Sequence, residues 1–340
     1  MYTLHQQVFT LSFLANAADG KTGTVATLQA NAAAAIKEKL SNPVVGAQLG
    51  SSWQIVWGPI IVQEPESDVA DNAMVVYRGT SAGAPVYVVG VAATNSGSKF
   101  DQDVEDRDVG STVPFDGNGA RIAAGTHAGV QNLKGMTDPA GGSLQSFLES
   151  QAASNATLIF AGHSLGGALS PTLALDLVVN DGFAPANWKN VFVYPSAGPT
   201  PGNQSFRDLF ANTFVQQPAA EAWNAWNMDV VNSLDIVPRA WNQLPSLPAL
   251  YPLPVPGAAV QVLVNAVIAK DRLGTTNVYA PLPPSTFTGQ FNPSAPPKRG
   301  ARLLPLPAYV PVYSDQAFYQ HIAAYLETIV PELAPVLQRT

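Results

Sequence analysis

The chain has 340 residues, 17 basic side chains against 24 acidic ones, a formal charge of −7 and no cysteine. The missing cysteines exclude a disulfide scaffold, an iron–sulfur protein, a cysteine-ligated zinc site and a cysteine nucleophile, and an acidic chain with no Lys/Arg-rich run argues against nucleic acid as a partner. At 46% hydrophobic it is too apolar for intrinsic disorder.

No run of about 18 apolar residues predicts a membrane-spanning helix. The segment Val8 to Ala17 is apolar and ends in an A-x-A-like triplet, yet no lysine or arginine precedes it. It reads as a packed N-terminal segment rather than a secretory signal. A cysteine-free chain of this size fits either side of a membrane, so the compartment stays open, as does the oligomeric state. Ala26 to Leu40 carries Leu28, Ala32, Ile36 and Leu40 at helical spacing and stops at Asn42-Pro43. Trp53 to Val62, Asn72 to Tyr77 and Pro85 to Ala92 read as strands, the second running into a turn at Arg78-Gly79-Thr80. Residues 95–119 are polar and acidic and read as a long excursion. Within them Asp101 to Asp106 reads as a solvated acidic loop; as a Ca²⁺ loop it lacks the EF-hand glycine and terminal glutamate.

From Ser143 the chain alternates. Helices are expected at 143–153, 165–179 and 203–213, and strands at 157–161, 191–194 and 228–233. That pattern predicts βαβ units and a mainly parallel sheet. It then breaks: residues 240–312 hold fourteen of the 29 prolines, with one helical stretch at 258–270. Asp315 to Glu327 and Pro331 to Arg339 read as closing helices. With no internal repeat and no dividing linker, the expectation is one α/β domain, residues 1–340, carrying a proline-rich insertion at 240–312.

Gly162-His163-Ser164-Leu165-Gly166 is a G-x-S-x-G between a continuous apolar strand and a helix, the context of a nucleophile elbow. The two glycines let strand end and helix start pass closely, and the helix N-terminus offers free N–H groups to a developing oxyanion. Ser164 needs a base, and the base needs an orienting acid. Elbow folds order these Ser…Asp/Glu…His. Of the four histidines, His5 and His127 precede Ser164 and His163 adjoins it, which leaves His321 as the base. Of the eight carboxylates between Ser164 and His321, Asp235 sits just past a strand end; Asp229, at that strand's start, is the alternative. Leu165 supplies one oxyanion N–H, and Thr80 is the candidate for the second.

These blocks resemble the class 3 lipases, the family of fungal triacylglycerol lipases and their bacterial and plant relatives. Val75 to Thr80 is similar to the family's strand ending in Arg-Gly-Ser/Thr, Thr126-His127-Ala128-Gly129-Val130 to its His-x-Gly-Phe block, and Ala161 to Ala168 to its nucleophile block. Val230 to Pro238 resembles the acid block, and His321 with Tyr325 the His-x-x-x-Tyr end. The likeness spans about 70–240 and the last 25 residues. It departs at Pro171 inside the helix after Ser164, at Thr200-Pro201 where Arg-Val is usual, at the long insertion, and in lacking a recognisable lid after Thr80.

The resemblance implies an α/β-hydrolase fold and hydrolysis of acylglycerol esters through a Ser164-His321-Asp235 triad, with no cofactor and no metal. A carboxylesterase, a phospholipase or an acyltransferase would use the same triad, and a non-catalytic relative would have lost one of the three. Expected partners are an ester or lipid substrate, with a lipid–water interface as one setting for it. The apolar residues Leu244, Leu247, Leu250, Tyr251, Leu253 and Val255, and those following on 260–267, fit a cap over an acyl pocket or plain packing on the core.

Overall fold

A computed structural model describes residues 1–338 except Ser51, Arg107, Leu253, Thr275 and 296–310. Leu253, Arg339 and the stretch 296–310 of the insertion, all part of the expectations above, lie outside the described residues, as does the Val255 side chain.

The chain opens with three helices, α1 (Leu4–Leu14), α2 (Val25–Ser41) and α3 (Pro43–Leu49). The A-x-A-like segment is spent on α1, where Val8, Phe9 and Leu11 are fully buried and Thr3 with Gln6 forms a capping box. Asn42 ends α2 and caps α3, whose first residue is Pro43.

Strands β1 (Gln54–Val62), β2 (Asn72–Ser81) and β3 (Ala84–Val91) follow. A small hairpin, β4 (Thr112–Pro114) and β5 (Arg121–Ala123), leads into α4 (Ala124–Gly135) and α5 (Leu144–Gln151). The alternation expected next is present: β6 (Thr157–His163), α6 (Leu165–Val179), β7 (Asn190–Ser196), α7 (Gln204–Thr213) and β8 (Asp229–Asn232). Then come α8 (Pro254–Asp271), β9 (Pro284–Phe287), α9 (Pro311–Phe318), α10 (Ala324–Ile329) and α11 (Ala334–Leu337).

Seven strands form one sheet in the order β1-β2-β3-β6-β7-β8-β9. The first two pairings are antiparallel and the other four parallel. Alternate side chains feed two separate cores. Met74, Val76, Val89, Leu158 and Phe160 pack under α4, α5, α6 and α7. Val75, Tyr77, Val88, Ile159 and Ala161 pack under α1, α3, α10 and α11. Strands buried on both faces explain the unbroken apolar runs in the sequence.

The stretch 240–312 is not all excursion. β9 lies inside it and returns to the sheet beside β8, with Pro284 as its first residue, where a strand tolerates the missing donor. Around it lies a third apolar layer, described below. Among the described residues no helix is long and apolar enough to cross a membrane.

Because α1 is part of the second core, Leu11→Ala is expected to cost about 2–5 kcal/mol. Urea unfolding measures it, and a loss below about 1 kcal/mol would mean that α1 is only draped on the sheet.

Candidate active site

The parallel register aligns the C-terminal ends of β3, β6, β7 and β8, and the site is built on that edge. Ser164 sits between β6 and α6 at φ 58°, ψ −126°, a strained conformation for a residue with a side chain. Crowding at the elbow explains its glycines. A Cβ on Gly162 would collide with the backbone of Gly166, and one on Gly166 would stand 2.5 Å from the Val91 carbonyl oxygen and 2.8 Å from that of Ala92. Leu165 opens α6, so its N–H has no acceptor within the helix.

Ser164 Oγ lies 2.8 Å from His321 Nε2, and His321 Nδ1 lies 2.8 Å from Asp235 Oδ2. With Nδ1–H donating to the carboxylate, Nε2 is left to accept the serine proton. Asp235 Oδ2 also accepts from the Tyr325 hydroxyl at 3.0 Å, and Oδ1 accepts from the Val237 N–H at 3.0 Å. The alternative acid, Asp229, is held elsewhere. Burial pushes its carboxyl well above the usual carboxylate range, against a hydrogen bond from the Gly198 N–H and with help from the Asp235 charge. Asp229 Oδ1 faces the Gly198 N–H at 3.4 Å, whereas His321 Nδ1 is bonded to Asp235.

His321 is carried on one widened π-helical turn, Tyr319–Ala323, between α9 and α10. Such turns interrupt α-helices at functional positions. The turn is tied to the acid loop by buried amides: Asn232 Nδ2 donates to the Gln320 carbonyl at 2.9 Å and to Gln320 Oε1 at 2.7 Å. The Asn232 N–H donates to the Tyr325 oxygen at 2.8 Å. His163 lies against His321, with ring centroids 5.0 Å apart. Its Nε2–H donates to the His321 carbonyl at 2.8 Å, and its Nδ1 accepts from Ser196 Oγ at 3.0 Å. Burial holds its pKa well below the ordinary histidine value, so the ring is a neutral brace. The other two histidines lie outside this network: His5 stacks on Trp226 at 3.9 Å, and His127 is half-buried on α4.

One expected site residue is misplaced. Thr80 is not at a turn beside Ser164 but inside β2, which runs antiparallel to β3. Thr80 pairs with Pro85, and the adjoining Val86 pairs with Thr157 at the start of β6. Thr80 is thus about seven residues, roughly 20 Å, from the nucleophile end. It is exposed, and its N–H donates to Ser52 Oγ at 3.3 Å. The strand that reaches the elbow is the next one, β3, which continues into Ala92-Ala93-Thr94. The N–H groups of Ala92 and Ala93 are engaged by the Ala73 carbonyl and Asn16 Oδ1, and Thr94 Oγ1 donates to the Asp106 carboxylate at 3.0 Å.

The acidic stretch is likewise not a solvated loop. Residues Asp101–Glu105 form a π-helical turn in which Asp101 and Glu105 are buried. Among the described residues no group of three or more His, Cys, Asp or Glu is arranged to hold a metal ion.

The family model for lipase (class 3) matches residues 74–244, half of the chain. The chain belongs to the class 3 lipase family. M37 lipase overlays on 98% of this lipase and 93% of its own chain, with 25% identity and a TM-score of 0.74, which fits the α/β-hydrolase architecture. The lipase from Rhizopus microsporus var. chinensis is 16% identical over 71% of either chain, with a TM-score of 0.46. No curated protein matches the chain.

The three linked side chains of this lipase are covered: Ser164 is 9% exposed, and Asp235 and His321 are 1% exposed. The third apolar layer meets the triad on both sides. Ile236, next to Asp235, packs with Leu244, Leu247, Tyr251, Val260 and Val264, and with Tyr313 and Ala317 of the helix leading to His321. Tyr325→Phe removes one donor to Asp235 and the acceptor for the Asn232 N–H. It is expected to lower stability by about 1–3 kcal/mol, measured by denaturant unfolding; no change would mean that the Tyr325 hydroxyl does not hold the acid loop.

Proposed function

We propose that this lipase is a serine carboxylic ester hydrolase that cleaves acylglycerols through an acyl-enzyme. The observation that carries this reading is the unbroken relay from Ser164 through His321 to Asp235, with both links at 2.8 Å. Ser164 Oγ attacks the ester carbonyl as its proton passes to His321 Nε2. Asp235 keeps Nδ1 protonated and offsets the imidazolium charge. The carbonyl oxygen, now negative, is met by the Leu165 N–H at the start of α6. We assign the second donor to Thr94, in the loop that abuts Gly166, with its hydroxyl fixed by Asp106. Collapse of the tetrahedral intermediate expels the alcohol, which takes its proton from His321. Water deprotonated by the same nitrogen then releases the acid and restores Ser164.

Ser164→Ala is expected to lower kcat on a nitrophenyl butyrate by at least ~10³-fold, and Asp235→Asn by about 10⁴-fold. Steady-state kinetics decide, and more than a percent of wild-type activity in Ser164→Ala sinks the mechanism. A panel of esters from C2 to C18 then separates a lipase with long-chain preference from a short-chain esterase.

The third apolar layer fits a cap that a lipid surface displaces. Val262 on α8 and Val278 beyond it are 69% and 56% exposed. Val262→Glu is expected to reduce hydrolysis of emulsified long-chain triacylglycerol several-fold while leaving a soluble short-chain ester unaffected. An equal loss on both substrates would refute lipid contact at this helix.

A further inference from the structure

Behind the loop that follows β3 lie carboxylates that the chemistry above does not use. Asp101 and Glu105 share one π-helical turn and are 1% and 3% exposed. Glu105 accepts from the Asn72 amide through both oxygens, at 3.0 and 3.1 Å. Asp101 Oδ2 accepts from the Asn95 N–H at 2.6 Å, but its Oδ1 is buried and meets no donor. The two carboxyls stand four residues apart on the one turn, close enough for the Glu105 charge to raise Asp101. If both were ionised, that closeness would set two like charges together in a dry site, among the costliest arrangements a protein can bury. A single proton between them turns it into a hydrogen bond and gives Asp101 a partner at its other oxygen.

Among the described residues, the groups around the pair are acidic or neutral. Asp71, on the segment before β2, accepts from Ser98 Oγ at 2.6 Å and the Glu64 N–H at 2.7 Å. Asp106 adjoins Glu105 on the turn, Asp19 beyond α1 accepts from Ser96, and Glu64 faces Asn132. From α4 the neighbours are Gly125, Gly129 and Asn132; a Cβ on Gly129 would overlap Glu105 Oε1. Among the described residues no ion pair reaches Asp101 or Glu105.

The same turn holds the loop 94–98 at both ends. Asp101 bonds the Asn95 N–H, Ser98 Oγ accepts the Asp101 N–H at 2.9 Å, and Asp106 takes the Thr94 hydroxyl. We propose that Asp101 and Glu105 share one proton, that this proton positions the 94–98 loop and so Thr94, and that its loss in alkali limits the activity of the enzyme. Both are positioning residues, acting on the oxyanion through the loop. The proposal rests on the triad reading above and on Thr94 as oxyanion donor.

Burial pushes the Glu105 carboxyl up to about 8, against its hydrogen bond from Asn72. Burial, with the Glu105 charge beside it, pushes Asp101 well above the carboxylate range. The pair titrates as a unit. Because its pKa values are raised on folding, the native chain binds more protons than the unfolded one between about pH 4.5 and 8. The stability this provides is complete below that window and is lost as pH rises through it.

Asp101→Asn puts a fixed amide N–H where the shared proton sits, and Glu105→Gln does the same from the other side. Two profiles test the proposal on wild type and both variants: kcat and KM on a soluble butyrate ester from pH 5 to 10, and Tm over the same range. The wild-type alkaline limb, with its midpoint near 8, is expected to move up by at least one pH unit in either variant. KM and the acid limb should stay in place. The wild-type Tm should fall from pH 5 to 8, and that slope should flatten in the variants. An alkaline limb unmoved in both variants overturns the control of the loop, whatever Tm does. A wild-type Tm that does not fall across this range overturns the shared proton without reference to activity. Residual hydrolysis in Ser164→Ala would instead sink the triad, so the two failures are told apart.

Discussion

Ser164 is held at a backbone conformation that a serine adopts only under constraint, with φ at 58° and ψ at −126°. Strain of this kind costs about 1–3 kcal/mol and must be outweighed by what surrounds it. Here the Ser164 N–H is tied to the Ser196 carbonyl at 3.0 Å, its own carbonyl accepts from the Gly167 N–H at 2.7 Å, and glycines on both sides remove the clash. The buried strands β3, β6 and β7 fix the edge on which this happens. The two cores that grip them account for most of the helices.

The base is held by a different device. His321 rides a widened turn, and the Asn232, Gln320 and Tyr325 bonds join that turn to the acid loop more than 80 residues earlier in the chain. Each of these polar groups is fully buried, so each would be costly if unpaired. Their mutual satisfaction makes the geometry of His321 and Asp235 a property of one network rather than of two separate segments. His163 completes it by bonding the carbonyl of His321, a task separate from the chemistry of its neighbour Ser164.

That Ser164, His321 and Asp235 meet was legible in the sequence because chain order is one-dimensional: a single histidine follows Ser164, and Asp235 follows a strand. The parallel sheet was legible because strands covered on both faces leave continuous apolar runs. What failed was strand direction. Arg78-Gly79-Thr80 marks a strand end, but no local residue reports that the strand runs away from the nucleophile. That is set by the hairpin at Ala82-Gly83 and by the pairing of β3 with β6. β9 was hidden by the prolines at its start, and α4 by the two glycines that let the π-helical turn approach. Asp101 to Asp106 looked solvated because its charges are local, while Asn72, the group that receives Glu105, lies 33 residues upstream.

The apolar layer above the site is fastened by two phenols. Tyr251 donates to the Leu234 carbonyl at 2.9 Å, one residue before the acid, and Tyr313 donates to the Leu247 carbonyl at 2.6 Å, eight residues before the base. Lifting the layer breaks both bonds, at a net cost of about 0.5–1.5 kcal/mol each. It would also remove one tether each from the residue before Asp235 and from the helix leading to His321. Cover and order are therefore joined in this arrangement: the two phenols that hold the apolar layer down also brace the residue before Asp235 and the helix leading to His321.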